Sequence, residues 1–172
     1  MTSTPLLSSE KAIATLVLPD ETATLALGAK LAPALVPGLV LTLEGDLGAG
    51  KTTLVRGLLR ALGYGNKVKS PTYTLVEVHV ASGLNLYHFD FYRFNEPEEY
   101  LDAGLDEYFQ GDGVCLVEWP DKAGSYLPKP DLRVRLSVDG EGRSAELVAE
   151  TAGGVACLTR ANLSSASPTP AR

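Results

Sequence analysis

Apolar positions along this chain follow two rhythms, one close to two and one close to 3.6, and together they predict most of its elements. Residues 12–18, Ala-Ile-Ala-Thr-Leu-Val-Leu, read as a first strand. Pro19-Asp20-Glu21 opens a helix with Asp20 as its N-cap, because a short carboxylate there can accept from the free N–H groups of the first turn. Ala23, Leu27, Leu31 and Leu35 share one face of that helix, and Pro33 should kink or end it. Leu39-Val40-Leu41-Thr42-Leu43 is a second strand, and Leu54, Val55, Leu58, Leu59 and Leu62 form a helical stripe closed by Gly63. Residues 73–80 and 84–90 alternate as a hairpin around Ala81-Ser82-Gly83. Residues 96–109 read as an acidic helix, and Val114-Cys115-Leu116-Val117 as a strand buried on both faces. A second hairpin spans 132–138 and 144–149 around Asp139-Gly140-Glu141-Gly142. The Ser- and Pro-rich residues 161–172 are expected to be a disordered tail. With no repeat and no long linker, residues 1–160 are expected to form one α/β domain. Its mixed sheet would be flanked by helices and extended by antiparallel hairpins, and the phosphate-loop pattern G-D-L-G-A-G-K-T at residues 45–52 makes the expected arrangement P-loop NTPase-type.

Between the second strand and its helix, residues 45–52 read G-D-L-G-A-G-K-T, a full match to G-x-x-x-x-G-K-[ST]. Gly45, Gly48 and Gly50 allow the backbone to curl into a nest of N–H donors that holds phosphate. Asp46, Leu47 and Ala49 complete the loop, and Thr53 follows it. Lys51 supplies a charge for the β- and γ-phosphates, Thr52 a hydroxyl for Mg²⁺, and the helix its positive end.

Composition narrows the setting. The 172 residues carry a net charge of −6, so a basic surface that binds nucleic acid directly is not expected. No apolar run approaches the length of a membrane span, and the first ten residues lack a secretory pattern. Cys115 and Cys157 are too few for a disulfide framework or a zinc site, and a cytoplasmic setting fits.

Hydrolysis needs more than a phosphate loop. It needs an acidic group near the metal and a group that positions water. Ligand sites in α/β sheets lie at the carboxyl ends of strands, where Asp90 and Glu118 stand. Each could serve metal or water, or be a surface carboxylate. Ser70-Pro71-Thr72 lies where nucleotide-sensing segments sit in many P-loop proteins, though a plain loop is the alternative. Trp119, the one tryptophan, would gate the site, contact a partner or pack in the core. Arg93 would face phosphate or form a surface ion pair. His79 and His88 lack ligand spacing and read as strand residues. Asn66-Lys67-Val68-Lys69 and Asp121-Lys122-Ala123-Gly124 are incomplete, misordered guanine markers, so ATP is the expected nucleotide.

Four separated motifs together resemble the TsaE family, formerly YjeE: G-D-L-G-A-G-K-T-T at 45–53, S-P-T-Y-T-L-V at 70–76, H-F-D-F-Y-R at 88–93 and E-W-P-D at 118–121. Leu27-Gly28 and Gly142-Arg143 agree as well, and the likeness covers about residues 10–150. The resemblance implies a bacterial ATPase of tRNA N6-threonylcarbamoyladenosine (t6A) formation, acting at adenosine 37. It would work on the TsaD–TsaB complex, which transfers the group, and would meet tRNA only through those partners. It also implies ATP and Mg²⁺ as cofactors, with Lys51 on phosphate and Thr52 on Mg²⁺. Asp90 and Glu118 would be the acidic pair, Ser70 and Thr72 the switch, and Trp119 a neighbouring functional ring. Pro33 and the tail depart from the pattern. Two other readings stay open, a stand-alone small-molecule kinase and a non-hydrolysing scaffold; the stretch 121–131 has no arginine to close a kinase lid.

Overall fold

Val40–Glu44 (β2), buried on both faces from Val40 to Leu43, lies at the middle of a sheet in the computed structural model, which describes residues 12–163. Among the described residues seven strands form that sheet, in the order β1-β7-β6-β2-β5-β4-β3. Leu132–Asp139 (β6), Val114–Glu118 (β5) and Leu84–Asp90 (β4) run parallel to β2. Val76–Ala81 (β3) adds antiparallel to β4 at one edge. Gly142–Ala149 (β7) and Ile13–Leu18 (β1) add antiparallel beyond β6 at the other. Both expected hairpins therefore form, as flaps on a parallel centre. Every residue of β5 is buried, as its unbroken apolar run requires.

Helices cover one face. Glu21–Leu31 (α1) starts at Asp20, whose carboxylate accepts the Ala23 N–H at 2.9 Å. It stops before Pro33, in a short 3-10 turn at Ala32–Ala34. Its buried face is Thr24, Leu27, Gly28 and Leu31, rotated slightly from the expected stripe. The rotation follows from backbone contact. A Cβ on Gly28 would lie 2.2 Å from the Leu54 carbonyl oxygen of Lys51–Ala61 (α2), and one on Gly57 would lie 2.2 Å from that of Leu25. Leu41, Leu43, Leu116 and Leu132 of the sheet pack beneath these helices.

The opposite face is aromatic. Phe89, Phe91, Phe94 and Tyr100 are buried there, with Tyr108 and Phe109 partly buried against them. The expected helix over 96–109 breaks into one short turn, Glu99–Asp102 (α3), and a 3-10 segment, Leu105–Gln110. Gly104 between them adopts φ 71°, and the break lets Tyr100 and Phe109 turn together toward Phe89 and Phe91.

Two further differences concern the ends of predicted elements. Residues 73–75 leave the strand because Leu75 takes φ 72° while its N–H donates to Pro71 O at 2.8 Å. After β7 the chain forms a helix that the sequence reading lacked, Ala152–Arg160 (α4), capped by Thr151 on the Gly154 N–H at 3.1 Å. Gly153 and Gly154 hide it, since glycine is a poor helix former. Gly154 is needed here: a Cβ would meet the Asp131 carbonyl oxygen at 1.8 Å. Ala161 and Leu163, placed in the expected tail, are buried against the core, and 164–172 lie outside the described residues. Both cysteines are buried and free, and burial pushes the Cys115 thiol up to about 12.

Candidate functional site

The loop after β2 has the predicted curl. Gly45, Gly48 and Gly50 have φ of 147°, 82° and 108°. Gly45 also passes so close to β6 that a Cβ would lie 2.5 Å from the Leu136 carbonyl oxygen. Ala49 is buried, Leu47 is exposed at the tip, and Lys51 opens α2. Arg143 of β7 donates to Gly48 O at 2.9 Å and so braces the loop from the far hairpin. Sequence reasoning noted Arg143 without giving it this contact. Only the pairing of β7 with β6 brings it there.

Lys51 folds over the loop. Its Nζ donates to Gly45 O and, at 3.1 Å, to Asp46 O, and lies 4.3 Å from the Trp119 ring centre. Burial pushes its ammonium below the ordinary lysine value, while Glu118, Asp90 and Asp46 pull it back up.

The two carboxylates arrive by sheet register. Asp90 pairs with Glu118 across β4 and β5, so both side chains point to the α2 face. Both are buried. Thr52 Oγ1 donates to Glu118 Oε2 at 3.1 Å, which joins the loop helix to β5. The same oxygen lies 2.7 Å from His88 Nε2. His88 is fully buried and two residues before Asp90, hence on the same face. It is a strand residue, as expected, but also a direct partner of the acidic site. The i, i+2 rule for strands was the signal that could have found it.

Asp90 is occupied differently. Its Oδ2 accepts from Ser70 Oγ and, at 3.1 Å, from Thr72 Oγ1, and its Oδ1 accepts the Tyr92 N–H at 2.9 Å. Ser70 and Thr72 thus face the site from their loop. Arg93 turns away. It donates to the Tyr73 hydroxyl at 2.7 Å and stacks on that ring, 4.1 Å from its centre, and among the described residues it meets neither the loop nor a carboxylate.

A cavity of about 280 Å³ collects Lys51, Thr52, Thr53, Ser70, Asp90 and Glu118 with the tip of the loop. A larger one of about 550 Å³ opens on the other side of Gly45 and Asp46, against Arg133, Lys129 and Asp121. Lys51 and both strand-end carboxylates line the smaller. Trp119 lines both. It leaves β5 with φ 58°, a costly conformation for a bulky residue, and this turn lays its ring beside Lys51 and, at 5.1 Å, Tyr92.

Strand, glycine nest, Lys-Thr at a helix start and a carboxylate on the neighbouring strand place this chain in the class of P-loop NTPase-like, nucleotide-binding folds. The crystal structure of Bacillus subtilis YdiB supports that class: TM-score 0.74 at 33% identity, covering 89% of this chain and 95% of YdiB. The sequence goes further. The family model described as "Threonylcarbamoyl adenosine biosynthesis protein TsaE" matches residues 18–145. The chain is 44% identical to the Haemophilus influenzae tRNA threonylcarbamoyladenosine biosynthesis protein TsaE, across 78% of this chain and 88% of that relative. It is 47% identical to the Bacillus subtilis protein of the same name, across 73% and 77%. This chain belongs to the TsaE family.

Proposed function

We propose that this protein binds and hydrolyses Mg²⁺-ATP, and that it uses this cycle to act on the TsaD–TsaB complex during t6A formation without carrying the threonylcarbamoyl group itself. One observation carries the reading: the Thr52–Glu118 hydrogen bond, which ties the phosphate-loop hydroxyl to a buried strand-end carboxylate beside Lys51. A fold that only gripped phosphate would not need a buried acid there. The residues fit the cofactor. The glycine nest and Lys51 would hold phosphates, and Thr52, with Glu118 behind it, would hold Mg²⁺. The bound ion supplies charge neutralisation on the phosphates. Glu118 would orient the attacking water directly or through the metal. Asp90 would hold Ser70 and Thr72 in register with the phosphates, so that the switch segment answers to the nucleotide. Trp119 would form the mouth of the site, where a partner can reach it.

The net charge of −6 supports contact with tRNA through partners. Among the described residues no helix is long and apolar enough to cross a membrane.

The test is the Mg²⁺-dependent ATPase rate of the chain alone and with purified TsaD–TsaB. Basal turnover should be low and the complex should stimulate it strongly, because Arg93 points away from the loop. Lys51→Ala should lower ATP affinity at least about tenfold and abolish stimulated turnover. Wild-type turnover in that variant, or in Glu118→Ala, would sink the hydrolytic reading and favour a scaffold.

A further inference from the structure

Between Asp46 and Glu77 the chain contains no carboxylate side chain. Residues 47–76 hold five of the fifteen Lys and Arg and none of the twenty-one Asp and Glu. The rest of the chain therefore sets ten cations against all twenty-one acids. The fold gathers four of the five around one groove of about 410 Å³. Arg56 and Arg60 project from successive turns of α2, and Lys67 and Lys69 come from the loop that follows. Val68, buried between the two lysines, anchors that loop, and Arg56 Nη2 donates to its carbonyl at 3.4 Å. Arg60, Lys67 and Lys69 are exposed. Among the described residues none of the four cations is in an ion pair. Like charges crowded without counter-ions repel one another, and an acidic protein has ample carboxylates with which to relieve them. The groove also reaches Thr52 and Ser70, so it opens onto the flank of the nucleotide site.

We propose that this groove is a docking site for a carboxylate-rich segment of a protein partner. Two observations favour a protein over RNA. Among the described residues no aromatic ring lines the groove, whereas single-stranded RNA is held largely by stacking its bases. The excess of acids elsewhere on the chain would repel a long polyanion but leaves a short acidic segment room to dock. Docking would press on the loop that carries Ser70, and Ser70 is bound to Asp90. An occupant of the groove therefore bears directly on the switch segment.

The first test uses fluorescence anisotropy with a labelled oligoglutamate and a single-stranded RNA of equal charge. The peptide should bind wild type, weaken as salt rises, and lose about tenfold in Arg60→Glu/Lys67→Glu. The RNA should bind more weakly than the peptide. RNA binding as tight as the peptide's, equal peptide binding by both proteins, or no peptide binding each overturns the proposal. The second test rests on the TsaD–TsaB reading. The double variant should lose about tenfold in affinity for that complex while its own affinity for ATP stays unchanged. Equal affinity of both proteins for the complex overturns the groove as a docking site. A wild type that binds the peptide but not TsaD–TsaB supports the groove and rejects the partner. Both substitutions are on exposed side chains, and matching thermal melts confirm that folding is intact.

Discussion

Glu118 Oε2 serves two neighbours at once, Thr52 from the phosphate loop and His88 from β4. Three elements therefore converge on one oxygen, and His88 fixes which way the carboxylate points. His88→Leu should cut stimulated ATP hydrolysis about tenfold while leaving ATP affinity within a few-fold, because the loss is of orientation rather than of a phosphate contact. His88→Gln, which keeps a donor, should recover part of the rate. Parallel turnover and affinity assays separate this from simple loss of packing, which would lower both alike and deny recovery by glutamine. His79, next door at 6.5 Å between ring centres, is a different case. It is buried, with neither ring nitrogen hydrogen-bonded among the described residues, its ring set edge-on to Tyr64. Burial, and then His88, lower its pKa below 6.5, against a smaller opposing pull from Glu77. The unfolded chain thus takes up this proton first as pH falls. The stability His79 contributes is present above the unfolded value of 6.5 and is lost as pH drops through it toward the folded value. Urea unfolding at about pH 7.5 and about pH 5.5 should show wild type losing more stability than His79→Phe. Equal losses would mean that His79 is not a source of the acid sensitivity.

At the scale of elements, the crossing of α1 over α2 sets the distance from the first helix to the phosphate loop. Thr24 of α1 lies 3.5 Å from where a Cβ on Gly50 would stand. Gly28 and Gly57 make the crossing a backbone-to-backbone contact, each fitting against the other helix where no Cβ has room. Gly28→Ala and Gly57→Ala should each destabilise the fold by about 3 kcal/mol, since neither backbone can yield as a side chain would. Chemical denaturation reads this directly, and a cost below about 1 kcal/mol would show that the helices slide apart freely. The hydrophobic stripe on α1 was legible in the sequence, but its exact facing was not, because two glycines carry no apolar signal. The same holds for 96–109. Helical spacing was present there, but Gly104 and the aromatic cluster with Phe89 and Phe91 outweighed it. Gly153 and Gly154 concealed α4 by lowering local propensity, while the close approach of the Asp131 carbonyl oxygen required Gly154 to be small.

Across the whole molecule, Asp131 joins parts of the chain that are far apart in sequence. Its Oδ2 accepts the Val40 N–H at 2.9 Å, at the start of β2, and its Oδ1 accepts from Thr151 Oγ1 at 2.6 Å, the cap of α4. Asp131→Ala should cost about 2–3 kcal/mol, because it strands a backbone N–H and loosens a capping residue together. The unfolding midpoint should fall with no change in m-value, and an unchanged midpoint would show water replacing both contacts. By itself the sequence determined the phosphate loop with its flanking strand and helix, both hairpins and the strand-end position of Asp90 and Glu118. Those follow from local rules: glycine conformations, apolar period and strand ends act over a few residues. Only the tertiary structure decided that Asp90 faces Ser70 and Thr72, that Glu118 meets His88, that Arg143 braces the loop and that Arg93 turns to Tyr73. It also decided that four scattered cations ring one groove. Each of these pairings depends on which strand lies beside which and in what register, and residues far apart along the chain carry no local mark of that.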